Sequence, residues 1–421
     1  IQGGAICAMR SGGPSTYGSR RGPGHLGGEP AVPLMRPGGS RARTGWPGPR
    51  RDPYVEGPPL RIAQIAPPWI PVPPIGYGGI ERVVAELTDH LVARGHEVTL
   101  FAAAGSVTTA RLRTPLSETP APSHLGNAVD DATHALVAHL ARDEFDVVHD
   151  HTGVVGAAIA AVRPDSTPVV QTLHGAWTSA TRRAYRAVGE RVRLVAISAA
   201  QRRAFAEVPY GATIHNGVDP SWFALGDPVR EERLAFVGRA SREKSPVDAI
   251  RIARAVDLPL TMLVKCGEAE ERAYWRDVVE PELGDDVTVV LDADDATKVD
   301  LLARSLALLF PIRWEEPFGM VMVEAMACGT PVIANRRGSV PEVVIDGVTG
   351  FHVPPDDPIR GAARALDRID RIDRRACRTR VERHFSAASM AERYEALFHR
   401  VVTARPAGRV RPARAALEAG R

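Results

Sequence analysis

Short apolar runs alternate with helical patterns twice over in this 421-residue chain, and that alternation leaves few folds open. The first series begins at Leu60-Arg-Ile-Ala-Gln-Ile-Ala66, a strand by its length and apolar content. A Pro-rich loop, Pro67 to Pro74, leads to Gly76-Tyr-Gly-Gly79, and a helix then runs from Ile80 to Arg94 and stops at Gly95. Glu97–Phe101 is the next strand, and Asp146–His149, Pro168–Leu173 and Leu194–Ile197 follow with helical patterns between them. Asn216-Gly-Val-Asp219 closes this half, and the segment to Glu232 reads as a linker. The pattern then restarts with strands at Leu234–Gly238, Leu260–Lys265, Val287–Leu291, Leu306–Phe310 and Pro331–Ala334. Such alternation implies parallel sheets covered by helices on both faces. The expected fold class is therefore α/β, with two Rossmann-like, doubly wound domains facing a central cleft, and ligands at the carboxyl ends of both sheets.

The expected division is a first domain over 60–220, a second over 221–385 and a helix over 386–404 that crosses back to the first. Residues 1–59, rich in Gly, Pro and Arg, and the tail 405–421 lack periodicity and are expected to be disordered. The same ends carry a cluster of arginines and set the net charge of +3, so the pI gives no sign of a nucleic-acid-binding body. Cys7, Cys266, Cys328 and Cys377 show no paired spacing and fit neither a disulfide framework nor a zinc site. No run is long and apolar enough to span a membrane, and the expected location is cytoplasmic, with a peripheral membrane contact left open. Of 53 lysines and arginines only Lys244, Lys265 and Lys298 are lysine, so each stands out against an arginine background.

Arg313–Asn335 concentrates the chemistry. It reads as a loop bearing Glu315 and Glu316, a short apolar helix from Gly319 to Cys328, a stop at Gly329 and a strand. Glu324 lies inside that apolar helix, where an unpartnered carboxylate is costly. Either a buried arginine or a ligand hydroxyl must meet it. The helix N-terminus offers free N–H groups to an anion.

Other constellations flank strand ends. Gly76-Tyr-Gly-Gly79 lacks the third glycine of a dinucleotide fingerprint, because Glu81 stands there; a glycine loop over a diphosphate and a plain turn remain. Arg239 and Lys244 flank a strand-to-helix turn, where cations meet phosphate or face solvent. His174 follows a strand and points toward the cleft, while His149 and His151 read as satisfied loop histidines that supply too few ligands for a metal. In Asp292-Ala-Asp294-Asp295, Asp294 or Asp295 is more simply a helix N-cap than a metal ligand.

These pieces, in this order, resemble glycosyltransferase family 4, the retaining GT-B enzymes, over about residues 61–400. Glu316-Pro-Phe-Gly319 followed by Glu324-Ala-Met-Ala-Cys-Gly329 is similar to that family's pair of glutamates eight positions apart. Gly78-Gly79-Ile-Glu-Arg82, His174-Gly175, Ser198, Asn216-Gly-Val-Asp219, Gly238-Arg239, Glu243-Lys244, Gly338-Ser-Val-Pro-Glu342 and Gly347-Val-Thr-Gly350-Phe351 also match. The resemblance implies that Arg239 and Lys244 hold the donor diphosphate without a metal or other cofactor. It implies that Gly78 and Gly79 close over the phosphates, that Glu324 takes the ribose hydroxyls and that the segment at Asp292 lies by the base. Glu316 would hold the donor sugar beside the backbone of Phe318, Gly319, Met320 and Val321, and His174 would sit near the reacting carbon. Ser245-Pro246 departs from the family, where Gly is common after the lysine.

The implied activity is hexosyl transfer from a nucleotide-sugar donor, a UDP-sugar by default, to a hydroxyl acceptor. That acceptor is a saccharide, a lipid or a small natural product, contacted by first-half loops such as Pro67–Tyr77 and Thr178–Arg186. The alternatives are a non-catalytic sugar-nucleotide-binding protein and another GT-B enzyme, an epimerase or a phosphorylase.

Overall fold

The computed structural model describes residues 57–404 apart from Tyr77, residues 121–124, Asp165 and residues 226–230. The expectations for the chain ends fall almost wholly on residues 1–56 and 405–421, and part of the linker on 226–230; these lie outside the described residues.

Seven strands among the described residues form the first sheet: β1 (Arg61–Ile65), β2 (Glu97–Phe101), β3 (Arg111–Arg113), β4 (Val147–Asp150), β5 (Val169–Leu173), β6 (Arg193–Ala196) and β7 (Tyr210–Thr213). They pair in parallel in the order β3-β2-β1-β4-β5-β6-β7. The second sheet contains β8 (Leu234–Arg239), β9 (Leu260–Lys265), β10 (Val287–Leu291), β11 (Ala307–Phe310), β12 (Val332–Asn335) and β13 (Gly350–Val353). Its order, β10-β9-β8-β11-β12-β13, is again parallel throughout. The strand order reverses between β1 and β4 in one sheet and between β8 and β11 in the other, and those two switch points open a crevice at the carboxyl ends.

The central strands β4, β5, β11 and β12 are buried throughout, as parallel strands covered on both faces must be. The strands absent from the sequence reading, β3, β7 and β13, are all sheet edges. The first two are short and partly exposed, and β13 is broken by Gly350 and His352, so none forms an apolar run.

The first domain's helices are α1 (Gly79–Ala93), α2 (Ala128–Leu140), α3 (Val154–Ala161), α4 (Ser179–Val188) and α5 (Ala199–Ala204). In the second they are α6 (Pro246–Ala255), α7 (Ala269–Tyr274), α8 (Asp295–Arg304), α9 (Met320–Ala327), α10 (Val340–Val343), α11 (Pro358–Leu366) and α12 (Arg374–His384). Local chemistry sets several starts. The Asn127 side chain accepts from the Val129 N–H, Thr178 and Thr181 form a reciprocal box, and Asp294 accepts from the Thr297 N–H at 2.8 Å. Asp294 is thus the N-cap. Thr178–Arg186, expected as a loop, is instead the capped start of α4; its alternating small and basic residues hid a helix that buries only Tyr185 and Val188.

A last helix, α13 (Ala387–Thr403), follows the second domain but packs on α1 and the first sheet. Met390, Tyr394, Leu397 and Phe398 are buried there with Val83, Leu87 and Leu91 of α1. Each such side chain is worth roughly 1.5–3 kcal/mol when fully buried. Polar ties add to this: Glu395 accepts from Arg94 Nε at 2.8 Å and lies 2.9 Å from His96 Nε2. The two crossings between domains lie side by side, Val218 N–H donating to Phe385 O at 3.0 Å and Ala387 N–H to Val218 O at 2.8 Å.

Candidate functional site

One cleft of about 280 Å³ lies between the carboxyl ends of the two sheets. The first domain contributes Gly78, Gly79 and Arg82 at the start of α1, His174 after β5, and Asn216. The second contributes Arg239 at the end of β8, Lys244 before α6, Asp292 after β10, and Glu316, Phe318, Gly319, Met320, Val321 and Glu324 around the start of α9. All twelve residues singled out from the sequence as catalytic or donor-binding therefore line the same space.

Parallel topology explains the convergence. Every strand of a sheet ends on the same side, so the residue that follows each strand is delivered to the same edge. Glu316 is held from three directions. Lys244 Nζ pairs with its Oε2, and Trp314 Nε1 donates to the same oxygen at 3.0 Å. The Lys244 ammonium also lies 5.3 Å from the ring centroids of Phe310 and Trp314, a distance at which ring quadrupoles attract it. Behind Glu316 the loop at Gly338 is seated on its backbone: Ser339 N–H donates to Glu316 O at 3.0 Å, and Ser339 Oγ to Phe318 O at 2.7 Å. Gly338 has φ +53°, and a Cβ there would stand 2.3 Å from Glu316 O.

The start of α9 needs the same freedom. Gly319 has φ +80°, and a Cβ would meet Met322 Cε at 2.7 Å. At the other end Arg378 donates to the Ala327 carbonyl at 2.7 Å, which satisfies a terminal acceptor of α9. The helix that carries Glu324 is thus fixed at both ends.

Glu324 has a protein partner, and it is Lys298 rather than an arginine. Lys298 Nζ donates to Glu324 Oε1 at 2.8 Å and lies 3.2 Å from Asp295 Oδ1. Burial opposes the ammonium charge, but the charge and hydrogen bond of Glu324, with Asp295, hold its pKa above the ordinary lysine value. Asp295 in turn pairs through Oδ2 with Arg82 of α1, so four alternating charges span the cleft. Sequence reading placed Arg82 in a motif without a role and saw Asp295 only as a possible cap. The one signal for Lys298 was lysine scarcity, and all three lysines of the chain line this cleft. Lys265 lies between Glu268 and Glu271, at 2.8 and 3.4 Å, and Glu271 is 3.8 Å from Arg239.

His174 is gripped at backbone and ring. Gln201 Nε2 donates to the carbonyls on either side of it, Leu173 and Gly175, both at 2.9 Å. His174 Nε2 stands 2.9 Å from His151 Nδ1. Burial lowers the His174 pKa to about 4, so the ring is neutral at physiological pH. The expectation that His149 and His151 are satisfied loop histidines holds for His151, whose two ring nitrogens are both bonded, and fails for His149, whose Nδ1 finds no partner among the described residues. His149 lies in β4 and His151 directly after it, both buried against the interior of the sheet. His149 Nε2 meets Thr172 Oγ1 at 2.8 Å, and its ring lies 4.5 Å from that of Tyr394.

Among the described residues one group of three side chains has metal-ligand spacing, His96, Glu395 and His399, and it lies at α13 outside the cleft. His96 Nδ1 already accepts from the Leu60 N–H at 3.1 Å, so its proton sits on Nε2 toward Glu395. Arg94 occupies the other carboxylate oxygen. His96, Arg94 and Glu395 thus form a hydrogen-bonded clasp, and His399 Nε2 finds no partner among the described residues.

The first domain carries Glu81, buried beside Gly78, with its pKa raised to about 7 by burial. Across the hinge, Glu342 of α10 accepts from the backbone N–H groups of Ala199 and Ala200 at 2.7 and 2.5 Å, and His215 Nε2 is 3.2 Å away. The second domain thereby caps a helix of the first.

Residues 77–222 match the model described as Glycosyltransferase Family 4, and residues 222–380 match Glycosyl transferases group 1. A glycogen synthase of Mycobacterium tuberculosis is 30% identical over 347 residues, 70% of this chain and 83% of its own. A phosphatidyl-myo-inositol mannosyltransferase of Mycolicibacterium smegmatis is 28% identical over 335 residues, covering 73% and 84%. Among solved structures, AviGT4, a glycosyltransferase involved in avilamycin A biosynthesis, aligns with TM-score 0.59 at 28% identity, over 82% of this chain and 99% of its own.

Proposed function

The chain belongs to glycosyltransferase family 4 and has the GT-B fold, and on that premise we propose that it is a retaining enzyme whose donor diphosphate is held by Arg239 and Lys244. The observation that carries this reading is the convergence of Arg239, Lys244 and the N-terminus of α9 on one side of the cleft, facing His174 on the other. A diphosphate laid along that wall meets two cations and a helix N-terminus. Glu324 Oε2 takes no hydrogen bond from the described residues and is free for ribose hydroxyls. Glu316 Oε1 is free in the same way for a sugar hydroxyl. The segment at Asp292 lies by the base, and Gly78 and Gly79 cover the phosphates.

In this reading the acceptor hydroxyl attacks the anomeric carbon from the face the diphosphate leaves. The carbon–oxygen bond to phosphate breaks as the new one forms, and the hydroxyl proton passes to the departing phosphate oxygen. Positive charge builds on the sugar and negative charge on the diphosphate, so catalysis is chiefly electrostatic. Arg239 and Lys244 carry the neutralisation that a divalent metal would otherwise supply, and the enzyme works without one.

The donor is proposed as a UDP-sugar. By name the relatives act on phosphatidyl-myo-inositol, on glycogen and in avilamycin A biosynthesis, so acceptors must be sought among lipids, saccharides and small natural products. A thermal-shift panel of UDP-, GDP-, ADP- and dTDP-sugars tests the donor, because a native-state ligand stabilises by mass action. Acceptor-dependent release of the nucleoside diphosphate, undiminished in EDTA, is the expected outcome. No stabilisation by any of the four overturns the donor site; release without sugar transfer, or release abolished by EDTA, overturns the mechanism.

A further inference from the structure

Behind His174 runs a row of buried polar groups that sugar transfer does not itself demand. Gln64 sits near the carboxyl end of β1, between β2 and β4, and is fully buried. An apolar residue is the rule at such a position, and a buried amide is costly unless bonded. Its Oε1 lies 3.1 Å from His151 Nε2, while its Nε2 finds no partner. His151 Nδ1 then meets His174 Nε2 at 2.9 Å, and His174 lines the cleft.

The protons in this row are not independent. Burial, with neighbouring His149 and His174, holds His151 well below the ordinary histidine pKa, and burial alone does the same for His174. Each ring is therefore neutral and carries one proton, so a nitrogen that donates leaves its partner a lone pair. Gln64 Oε1 only accepts, which places the His151 proton on Nε2. His151 Nδ1 must then accept, so His174 Nε2 donates and His174 Nδ1 keeps a lone pair. Turning the Gln64 amide over would reverse every bond and leave an N–H at that nitrogen.

We propose that Gln64 and His151 are positioning residues that lock His174 in its Nε2–H form, so that the cleft meets Nδ1 as a hydrogen-bond acceptor. The identity of the ligand it meets rests on the glycosyltransferase reading; the tautomer does not. A lone pair accepts a sugar hydroxyl and is electrostatically compatible with positive charge growing at the anomeric carbon. An N–H or an imidazolium at the same place opposes that charge.

The test reads the tautomer directly by two-bond 1H–15N correlation on the full chain labelled at histidine, with His151→Asn and His174→Asn assigning the signals. The expected wild-type result is His174 protonated at Nε2 alone. Gln64→Leu, which removes the acceptor but suits a buried strand, should give a tautomer mixture. With the nucleotide sugar that most stabilises the protein, its kcat should fall roughly five- to tenfold, the weight of one neutral hydrogen bond, with KM for the donor little changed. Gln64→Glu, which as a carboxylate only accepts, should restore the Nε2–H form. A wild-type His174 protonated at Nδ1, or a folded Gln64→Leu protein with unchanged tautomer, overturns the proposal. A protein that transfers no sugar would refute the glycosyltransferase reading, and the tautomer would still be readable.

Discussion

Lys298 Nζ donates to Glu324 Oε1 at 2.8 Å, so the carboxylate buried in the apolar helix α9 is already neutralised before any ligand arrives. The same ammonium reaches Asp295, which pairs with Arg82 across the cleft. The second domain's side of the cleft and the first domain's α1 are thereby joined through charge.

Replacing Lys298 with Met should strand Glu324. Removing one partner of a buried pair costs on the order of 3–5 kcal/mol, because the remaining charge is left without compensation. Lys298 retains some exposure, which places the effect at the lower end. The melting temperature should fall, and Lys298→Met with Glu324→Gln should recover much of the loss. A double variant no more stable than Lys298→Met would contradict the pairing.

Lys244→Ala should lower kcat by roughly 10²–10³, the size of effect seen when one group opposing transition-state charge is lost. The fold should persist, since Glu316 keeps its Trp314 donor. Glu324→Ala should act differently, mainly weakening nucleotide affinity as read by calorimetry. Near-normal turnover in the first or unchanged affinity in the second would remove those roles.

Gly338→Ala tests how Glu316 is held. The new methyl would stand 2.3 Å from Glu316 O in a backbone conformation that disfavours side chains. The expected cost is about 1–3 kcal/mol of stability, with a larger loss of turnover because the displaced backbone carries Glu316. Wild-type kinetics in this variant would mean that the loop does not position the carboxylate.

Stability should fall on acidification, starting below pH 6.5. Burial depresses the pKa of His134 to about 4 and that of His149 to about 3, so the unfolded chain binds protons that the native state refuses. The destabilisation grows from pH 6.5 down to pH 4 for His134 and on to pH 3 for His149, reaching on the order of 3 kcal/mol for His134 alone. Glu81 works in the opposite sense. Its raised pKa of about 7 makes the native state bind a proton the unfolded chain has lost, so its contribution falls as pH rises from 4.5 to 7. The histidines outnumber it, and the net slope between pH 4.5 and 6.5 should be stabilisation with rising pH. Thermal melts across that interval check the sign; a flat or inverted profile would show that the rings are not buried neutral.

Much of the cleft was legible because strand ends are legible. His174, Arg239 and Asp292 each stand at or just after the carboxyl end of a strand, so recognising the strand sufficed to place them. Edge strands were lost for the same reason, since Arg111–Arg113 and Tyr210–Thr213 are too short and exposed to form a run. The burial of His149 and His151 was not legible, because the sheet's interior takes them in as a row bonded to Thr172, His174 and Gln64, and nothing local to His149-Asp-His151 announces that.

By itself the sequence determined two parallel sheets and the edge at which the cleft residues gather. Those follow from short-range pattern and from the rule that parallel strands all end on one side. Only the tertiary structure decided who faces whom. Glu316 meets Lys244 from 72 positions away, His151 meets Gln64 from 87, and Arg82 meets Asp295 from 213. The first two pairings are set by how neighbouring strands and their following loops pack within one domain, the third by the meeting of the two domains, and no periodicity along the chain encodes them.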